Sequence, residues 1–406
     1  LNTHQQFLCR RFTDAGATVR RLTCVPDNGA AIEGAVRDAL ACADIVVTTG
    51  GLGPTSDDRT RDYIAGLLGA KLVVNETVLS RIENWFGGRK RPMPASTTIQ
   101  AQVPEGAIVL LNEHGTAPGL IMEVSAGRFR DAQSWLVMLP GPPRELRPMF
   151  DSQVLPWLRN QFPTSAGFVC RTLKTSGIGE SRVEEIIAPK LHELVQRGLE
   201  IGYCARTGEV DVRFVARGNG CETIAIEAET ITRRLLGDCV FGADDEQLEE
   251  TVVRLLTERK EWLALAESCT GGFIANRITN VPGASAVLWG GGVTYANDAK
   301  VRLLGVREET LREHGAVSEA VAREMAEGAR RIAKSDYAIA VTGIAGPSGG
   351  TKDKPVGTVF IALATANDVQ VKRALNNFDR ETFKYISSQQ ALDMLRRALL
   401  AAHAGK

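Results

Sequence analysis

Apolar runs that end in glycine are the feature that most constrains this chain. Asp44–Thr49 runs into Gly50-Gly51, and Trp135–Leu139 runs into Pro140-Gly141-Pro142-Pro143. Further on, Trp262–Ala266 runs into Glu267-Ser268-Cys269-Thr270-Gly271-Gly272, and Tyr337–Thr342 into Gly343. Strand, glycine loop and helix repeating in this way imply a parallel sheet covered on both faces. Ala31–Ala43 and the long pattern from Ser318 to Ala333 supply such helices, with Ser318 as an N-cap. Thr358–Ala364 reads as a further strand and Glu381–His403 as a closing amphipathic helix. Ala17-Thr18-Val19 is expected to begin a strand as well.

Residues 168–240 read differently. Phe168–Thr175 and Glu209–Ala216 alternate as strands do, while Glu180–Leu194 and Thr223–Leu236 read as helices. A chain of 406 residues is long enough for two or three cores. The expected fold class is α/β. Two three-layer domains with mainly parallel sheets, 1–152 and 247–406, are joined by a small α+β domain at 165–243.

Charge and cysteine usage narrow the function. Lys+Arg and Asp+Glu are both 48, and no basic stripe of the kind nucleic-acid binders carry is present. The eight cysteines include no Cys-x-x-Cys pair, which argues against a zinc site. Their scatter suggests thiols in a reducing compartment, so a cytoplasmic location is expected. No run approaches the roughly 18 apolar residues of a membrane span. The chain opens on Leu1-Asn2-Thr3, and a piece of the natural N-terminus is expected to be missing.

Ser268 lies at a strand-to-helix junction, where unpaired N–H groups can hold a phosphate or steady an oxyanion. On the residues alone, it is equally well a plain cap before a tight turn. Lys300 falls in the first turn of a short helix, with Asp298 as the expected cap. A serine hydrolase without a histidine base needs a lysine of lowered pKa, and a helix terminus would push Lys300 that way. Cys269 is the competing nucleophile, though it would need a histidine nearby. Gly343-Ile344-Ala345-Gly346-Pro347-Ser348-Gly349-Gly350 lets backbone amides approach an anion but lacks the spacing and lysine of a P-loop.

Together these motifs resemble the C-terminal domain of the CinA family. Ala266-Glu-Ser-Cys-Thr-Gly-Gly272, Thr294-Tyr-Ala-Asn-Asp-Ala-Lys300, Glu313-His-Gly-Ala-Val-Ser318, Gly343-Ile-Ala-Gly-Pro347 and Lys354-Pro-Val-Gly-Thr358 carry the likeness. The resemblance implies a bacterial nicotinamide-nucleotide amidohydrolase that turns nicotinamide mononucleotide into nicotinate mononucleotide and ammonia without a cofactor. It assigns the nucleophile to Ser268 and the base to Lys300, with Tyr295 and Thr342 close by. Glu267, Thr270, Gly271 and Gly272 would line the substrate, with Gly343, Ile344, Ala345, Gly346, Gly349, Gly350 and Arg380 on its phosphate side. One departure stands out. Where the family has Phe-x-Gly-Asp-Arg, this chain has Asn376-Asn377-Phe378-Asp379-Arg380. Phenylalanine takes a positive φ only at a cost, so Arg380 is expected to be displaced if that turn needs one.

Thr48-Thr-Gly-Gly-Leu-Gly-Pro-Thr-Ser-Asp-Asp58 is a second glycine loop ahead of a helix. Asn112–Gly119 and Leu139–Glu145 are further turns at strand ends, where such folds place ligands. This half resembles the family's molybdopterin-binding-like domain. The likeness implies a divalent-metal-dependent ADP-ribose pyrophosphatase. Gly50, Gly51, Gly53, Thr55, Gly115, Gly141 and Pro142 would bind the nucleotide, and Asp57 and Asp58 the metal. The family's opening strand and its Gly-Thr-Glu turn are absent and are expected to lie before Leu1. Thr97-Thr98-Ile99-Gln100-Ala101 stands where the family has Asn-x-Lys-Gln-Ala, losing a cation. The middle segment resembles the family's KH-like domain, but Gly177-Ile178-Gly179 is not the Gly-x-x-Gly clamp of RNA-binding modules. Small nucleotides are therefore the expected partners, together with a second copy in a homodimer. The alternative is a nucleotide- or molybdopterin-binding protein with little catalysis.

Overall fold

The computed structural model describes residues 3–163 and 167–404, so the expected start of the middle segment at 165 lies outside the described residues. The chain forms two compact units, Leu1–Phe168 and Val169–Lys406.

The first unit is built on a four-stranded sheet in the order Ile45–Thr49, Ser134–Leu139, Gly119–Val124, Ile108–Leu110. Only the first pair is parallel, and the other two are antiparallel. The expectation of a mainly parallel sheet is corrected here. Short links join 110 to 119 and 124 to 134, and a parallel pair needs a longer crossover. Ser134–Leu139 is buried at every position. Leu136 and Met138 face the helices Gly29–Leu40 and Thr60–Leu67, while Trp135, Val137 and Leu139 face the layer holding Leu8, Leu146 and Phe150. Ala17-Thr18-Val19 forms no strand. It runs largely exposed with no sheet partner to take up its backbone groups.

The second unit holds two sheets. One has the order Val240–Ala243, Phe168–Ser176, Glu209–Arg217, Leu199–Arg206, covered by Glu180–Gln196 and Cys221–Leu236. The other has the order Leu288–Val293, Leu263–Glu267, Tyr337–Gly343, Thr358–Ala364, Val369–Leu375. Its first two strand pairings are parallel and its last two antiparallel, so this sheet too is mixed. Its faces are chemically distinct. Leu263, Leu265, Ile339, Val341 and Ile361 pack against Leu248–Arg259, Phe273–Thr279 and the closing helix Arg380–Ala404. Ala264, Ala266, Ala338 and Ala340 pack against Glu319–Ala333, where small side chains allow close approach. Ser318 caps that helix by accepting from the Val321 amide. No described helix is long and apolar enough to cross a membrane.

Candidate active site

The parallel register lines up three strand ends. Glu267 pairs with Val293 on one side and Val341 on the other. Ser268 and Thr294 follow directly and leave the sheet at one level, where Thr342 stands beside them and still pairs with Phe360. Two-residue alternation puts Ser268 and Thr342 on the alanine-lined face. The Ser268 amide donates to the Val341 carbonyl at 2.9 Å and the Thr294 amide to the Glu267 carbonyl at 2.8 Å.

Lys300 reaches the same point from the helix Asn297–Leu304. Ala296 is the cap; Asp298, expected in that role, lies inside the first turn and pairs with Arg302 at 2.7 Å. Lys300 is 1% exposed and Ser268 8%. The lysine Nζ lies 3.1 Å from Ser268 Oγ, 2.7 Å from the Thr294 carbonyl oxygen and 3.2 Å from that of Tyr295. Carbonyls only accept, so they occupy N–H groups. A neutral Lys300 would then turn its lone pair to the Ser268 hydroxyl. Burial pushes the Lys300 ammonium below the ordinary lysine range. The main cause is thus desolvation and not the expected helix terminus. Burial pushes the neighbouring Cys269 thiol up to about 12, which leaves it a poor nucleophile near neutrality.

Several residues expected to touch substrate are committed elsewhere. The buried Glu267 carboxylate accepts from the amides of Gly272 at 3.0 Å, Ile274 at 3.1 Å and Ala275 at 2.8 Å. It anchors the following helix and does not face a ligand. The Gly271 amide donates to the Ser268 carbonyl at 3.0 Å. With φ of 63° and 89°, Gly271 and Gly272 shape the turn, and their N–H groups are used within it. The Thr342 hydroxyl donates to the Ala316 carbonyl at 2.9 Å. The amide and carbonyl of Ile344 are bonded to the Gly357–Thr358 backbone at 2.8 Å each. Ala345 is buried, and a Cβ at Gly343 would lie 2.8 Å from the Thr358 carbonyl oxygen and 3.1 Å from both Cys269 Sγ and the Phe383 ring. These loop residues therefore serve packing first. Gly346 and Gly349 turn the loop with φ of 76° and 94°, while a Cβ at Gly350 would lie 2.7 Å from the Val356 nitrogen.

Arg380 does reach the site. Its guanidinium donates to the Tyr295 hydroxyl at 2.7 Å and to the Gly346 carbonyl at 3.0 Å. The turn does not need the positive φ that would have put the position of Arg380 in question. Phe378 is exposed and needs no positive φ, and Asp379 caps the closing helix through the amides of Glu381 and Thr382 at 3.0 Å each. Those bonds, with the Thr382 hydroxyl, hold the Asp379 carboxyl below its usual range. Tyr295 itself is exposed. Among the described residues, the hydroxyl oxygens of Thr270 and Thr294 are buried without a hydrogen-bond partner, a cost of about 1–3 kcal/mol each that a polar ligand could relieve. Lys384 went unnoticed in the sequence. Its ammonium lies 3.8 Å from where a Gly271 Cβ would stand and 5.8 Å from the Phe273 ring centroid. The available signal was its four-residue spacing from Arg380, which puts both cations on one helix face.

In the first unit, the glycine turns meet beyond the parallel pair. A Cβ on Gly141 would lie 3.5 Å from Gly50 Cα, and Gly50 and Gly51 have φ of 93° and 69°. Asn112 donates to Glu145 at 2.8 Å and the Glu145 carboxylate lies against Gly115, so the two turns are tied to each other through their end residues. Gln100 donates to the Leu52 carbonyl at 3.4 Å. Pro142 precedes the helix Pro143–Met149. Asp58 accepts from the Thr55 amide at 3.1 Å and from its hydroxyl, and its carboxylate lies where a Gly53 side chain would stand. Among the described residues no group of three or more His, Cys, Asp or Glu is placed to hold a metal. Asp57 and a committed Asp58 are a thin donor set for a divalent cation.

Three family models cover nearly the whole chain. A probable molybdopterin binding domain matches residues 1–160, a damage-inducible protein CinA KH domain 170–242, and a CinA C-terminal domain 245–399. A CinA-like protein of Akkermansia muciniphila is 44% identical over 393 residues, covering 97% of this chain and 92% of the relative. Another from Kosmotoga olearia is 40% identical over 405 residues, covering 98% and 95%. Among solved structures, a competence/damage inducible protein from Agrobacterium tumefaciens is 41% identical, covers 38% of this chain and 96% of its own, and has a TM-score of 0.36.

Proposed function

The chain belongs to the CinA family, and from that premise we propose that its C-terminal segment hydrolyses the amide of nicotinamide mononucleotide with Ser268 as nucleophile and Lys300 as base. The observation that carries this reading is the buried contact of 3.1 Å between Lys300 Nζ and Ser268 Oγ, with carbonyls on the lysine's other sides. The neutral amine takes the Ser268 proton as Oγ attacks the carboxamide carbon. The resulting ammonium gives that proton to the departing nitrogen, releasing ammonia and leaving an ester on Ser268. Water, deprotonated by Lys300, then attacks the ester carbon, and the lysine returns that proton to Ser268 Oγ as the carboxylate is released. The Arg380 guanidinium beside Tyr295 and Gly346 suits a phosphate at the other end of the substrate.

Ammonia release from nicotinamide mononucleotide tests the reading. Ser268→Ala and Lys300→Ala should each lower kcat by at least about 10²–10⁴-fold with the circular dichroism unchanged. Wild-type turnover in either variant would sink the assignment. For the first unit we propose a nucleotide site where the turns around Gly50, Gly141 and Gly115 converge. Its test is ADP-ribose hydrolysis with and without added magnesium, the absence of both binding and hydrolysis being the outcome that removes it.

A further inference from the structure

Gln389 lies in the closing helix and is 1% exposed, with both ends of its amide in use. Its Oε1 accepts from the Arg277 guanidinium at 2.7 Å. Its Nε2 donates to Glu209 Oε1 at 2.5 Å. Glu209 begins a strand of the KH-like sheet, and the Lys174 ammonium lies 3.6 Å from its other oxygen. The turn before it passes close to the helix: a Cβ on Gly208 would lie 3.3 Å from Gln389 Cγ.

Arg277 stands on the helix that follows the nucleophile. It also donates to Ser388 Oγ at 2.8 Å and to Glu249 at 2.6 Å. That helix is fastened to the residue before Ser268, because Glu267 takes up its first amides. The closing helix also bears Arg380, which holds the Tyr295 hydroxyl, and the Tyr295 carbonyl accepts from Lys300. One helix is thus bonded to the support of the nucleophile, to the support of the base and to the KH-like sheet.

We propose that Gln389 is a positioning residue through which the KH-like domain sets the geometry of Ser268 and Lys300. The proposal rests on the amidohydrolase reading. The position requires an acceptor toward Arg277 and a donor toward Glu209, which one amide supplies. A misplacement of about 1 Å far from the reacting atoms can cost up to ~100-fold in rate, so a modest shift of this helix is enough to be read in kcat.

Exchanging the two groups tests the link. Gln389→Glu keeps the acceptor for Arg277 but sets two carboxylates against each other. The other groups facing them are Lys174, Asp211 with its partner Arg206, Arg277, Glu249 and Tyr385. A shared proton restores the bond in mild acid, and its loss parts the groups as pH rises. Relative to wild type at each pH, Q389E should lose about 10-fold in kcat near neutrality, with KM little changed, and recover in mild acid. The double variant Q389E/E209Q puts the amide on the other side and should return to within about 2-fold of wild type. A Q389E enzyme equal to wild type at every pH overturns the proposal, as does a double variant no better than Q389E. Should Q389E fail to fold, the double variant decides alone. If wild type releases no ammonia, the amidohydrolase reading falls separately. Hydrogen exchange at the Gly272, Ile274 and Ala275 amides then decides. Faster exchange in Q389E that reverts in the double variant supports positioning, and unchanged protection removes it.

Discussion

At the scale of the residue, the pH dependence of Lys300 is the sharpest consequence of its burial. Its pKa is lowered by desolvation, and only the neutral amine can take the Ser268 proton. The rate should therefore rise with pH through that lowered value and level off above it. The midpoint of the limb should fall below the ordinary lysine value of about 10.4. Lys300→Arg keeps the charge but cannot deprotonate in this range, so it should lose about 10²–10⁴-fold in kcat and show no such limb. A K300R enzyme retaining both rate and limb would mean that another group is the base. Ser268 and Lys300 were each recognisable as candidates from their surroundings in sequence. Their contact was not, since it depends on Leu263–Glu267 and Leu288–Val293 ending in register and on the helix Asn297–Leu304 bringing Lys300 back to Ser268.

At the scale of the element, the junction of loop and helix carries the site. Gly343 has ordinary backbone geometry, so Gly343→Ala acts by packing alone, against Thr358, Cys269 and Phe383. Overpacking of this kind typically costs about 1–3 kcal/mol. Because Phe383 shares a helix with Arg380, G343A should lower the melting temperature and also raise KM for the phosphorylated substrate more than for its dephosphorylated form. Gly349→Ala is the control: its nearest neighbour is 3.7 Å away, and the strain comes from a φ of 94°. Equal KM effects from both would detach Arg380 from the packing argument. Elements with strong local signals were legible in the sequence. Ser318 caps its helix, and the apolar runs before Gly50, Gly141 and Ser268 are strands, although in the first only Val46 is buried. Leu199–Arg206 was overlooked: it alternates Leu199, Ile201, Tyr203 and Ala205 with other residues, but Gly202 in its middle reads as a break and half of the strand is exposed. Ala17-Thr18-Val19 failed for the opposite reason, a strand-like composition without a neighbour to pair with. The glycines after Ser268 announced a tight turn, but residue type alone could not say that their amides are spent inside it.

At the scale of the molecule, the second unit joins the KH-like sheet to the C-terminal sheet through polar side chains of the closing helix. Arg396 and Arg397 of the closing helix reach the backbone of Val240 at 3.4 Å and Ser176 at 3.2 Å, and Gln389 reaches Glu209. These partners lie more than a hundred positions apart, which is why no reading of local pattern finds them. Burial pushes the Glu209 carboxyl up, against the opposing pull of Lys174. A carboxyl raised on folding contributes stability that is present below its unfolded pKa, near 4.3, and is lost as pH rises through the folded value. Wild type should therefore lose denaturant resistance, relative to Glu209→Gln, between mild acid and neutrality. The glutamine cannot titrate, and Lys174 keeps Asp211 at 3.3 Å. Urea midpoints followed by circular dichroism measure this. A difference between the two proteins that stays constant across that range would show that Glu209 is held in one charge state throughout, and that the joint is not tuned by its protonation.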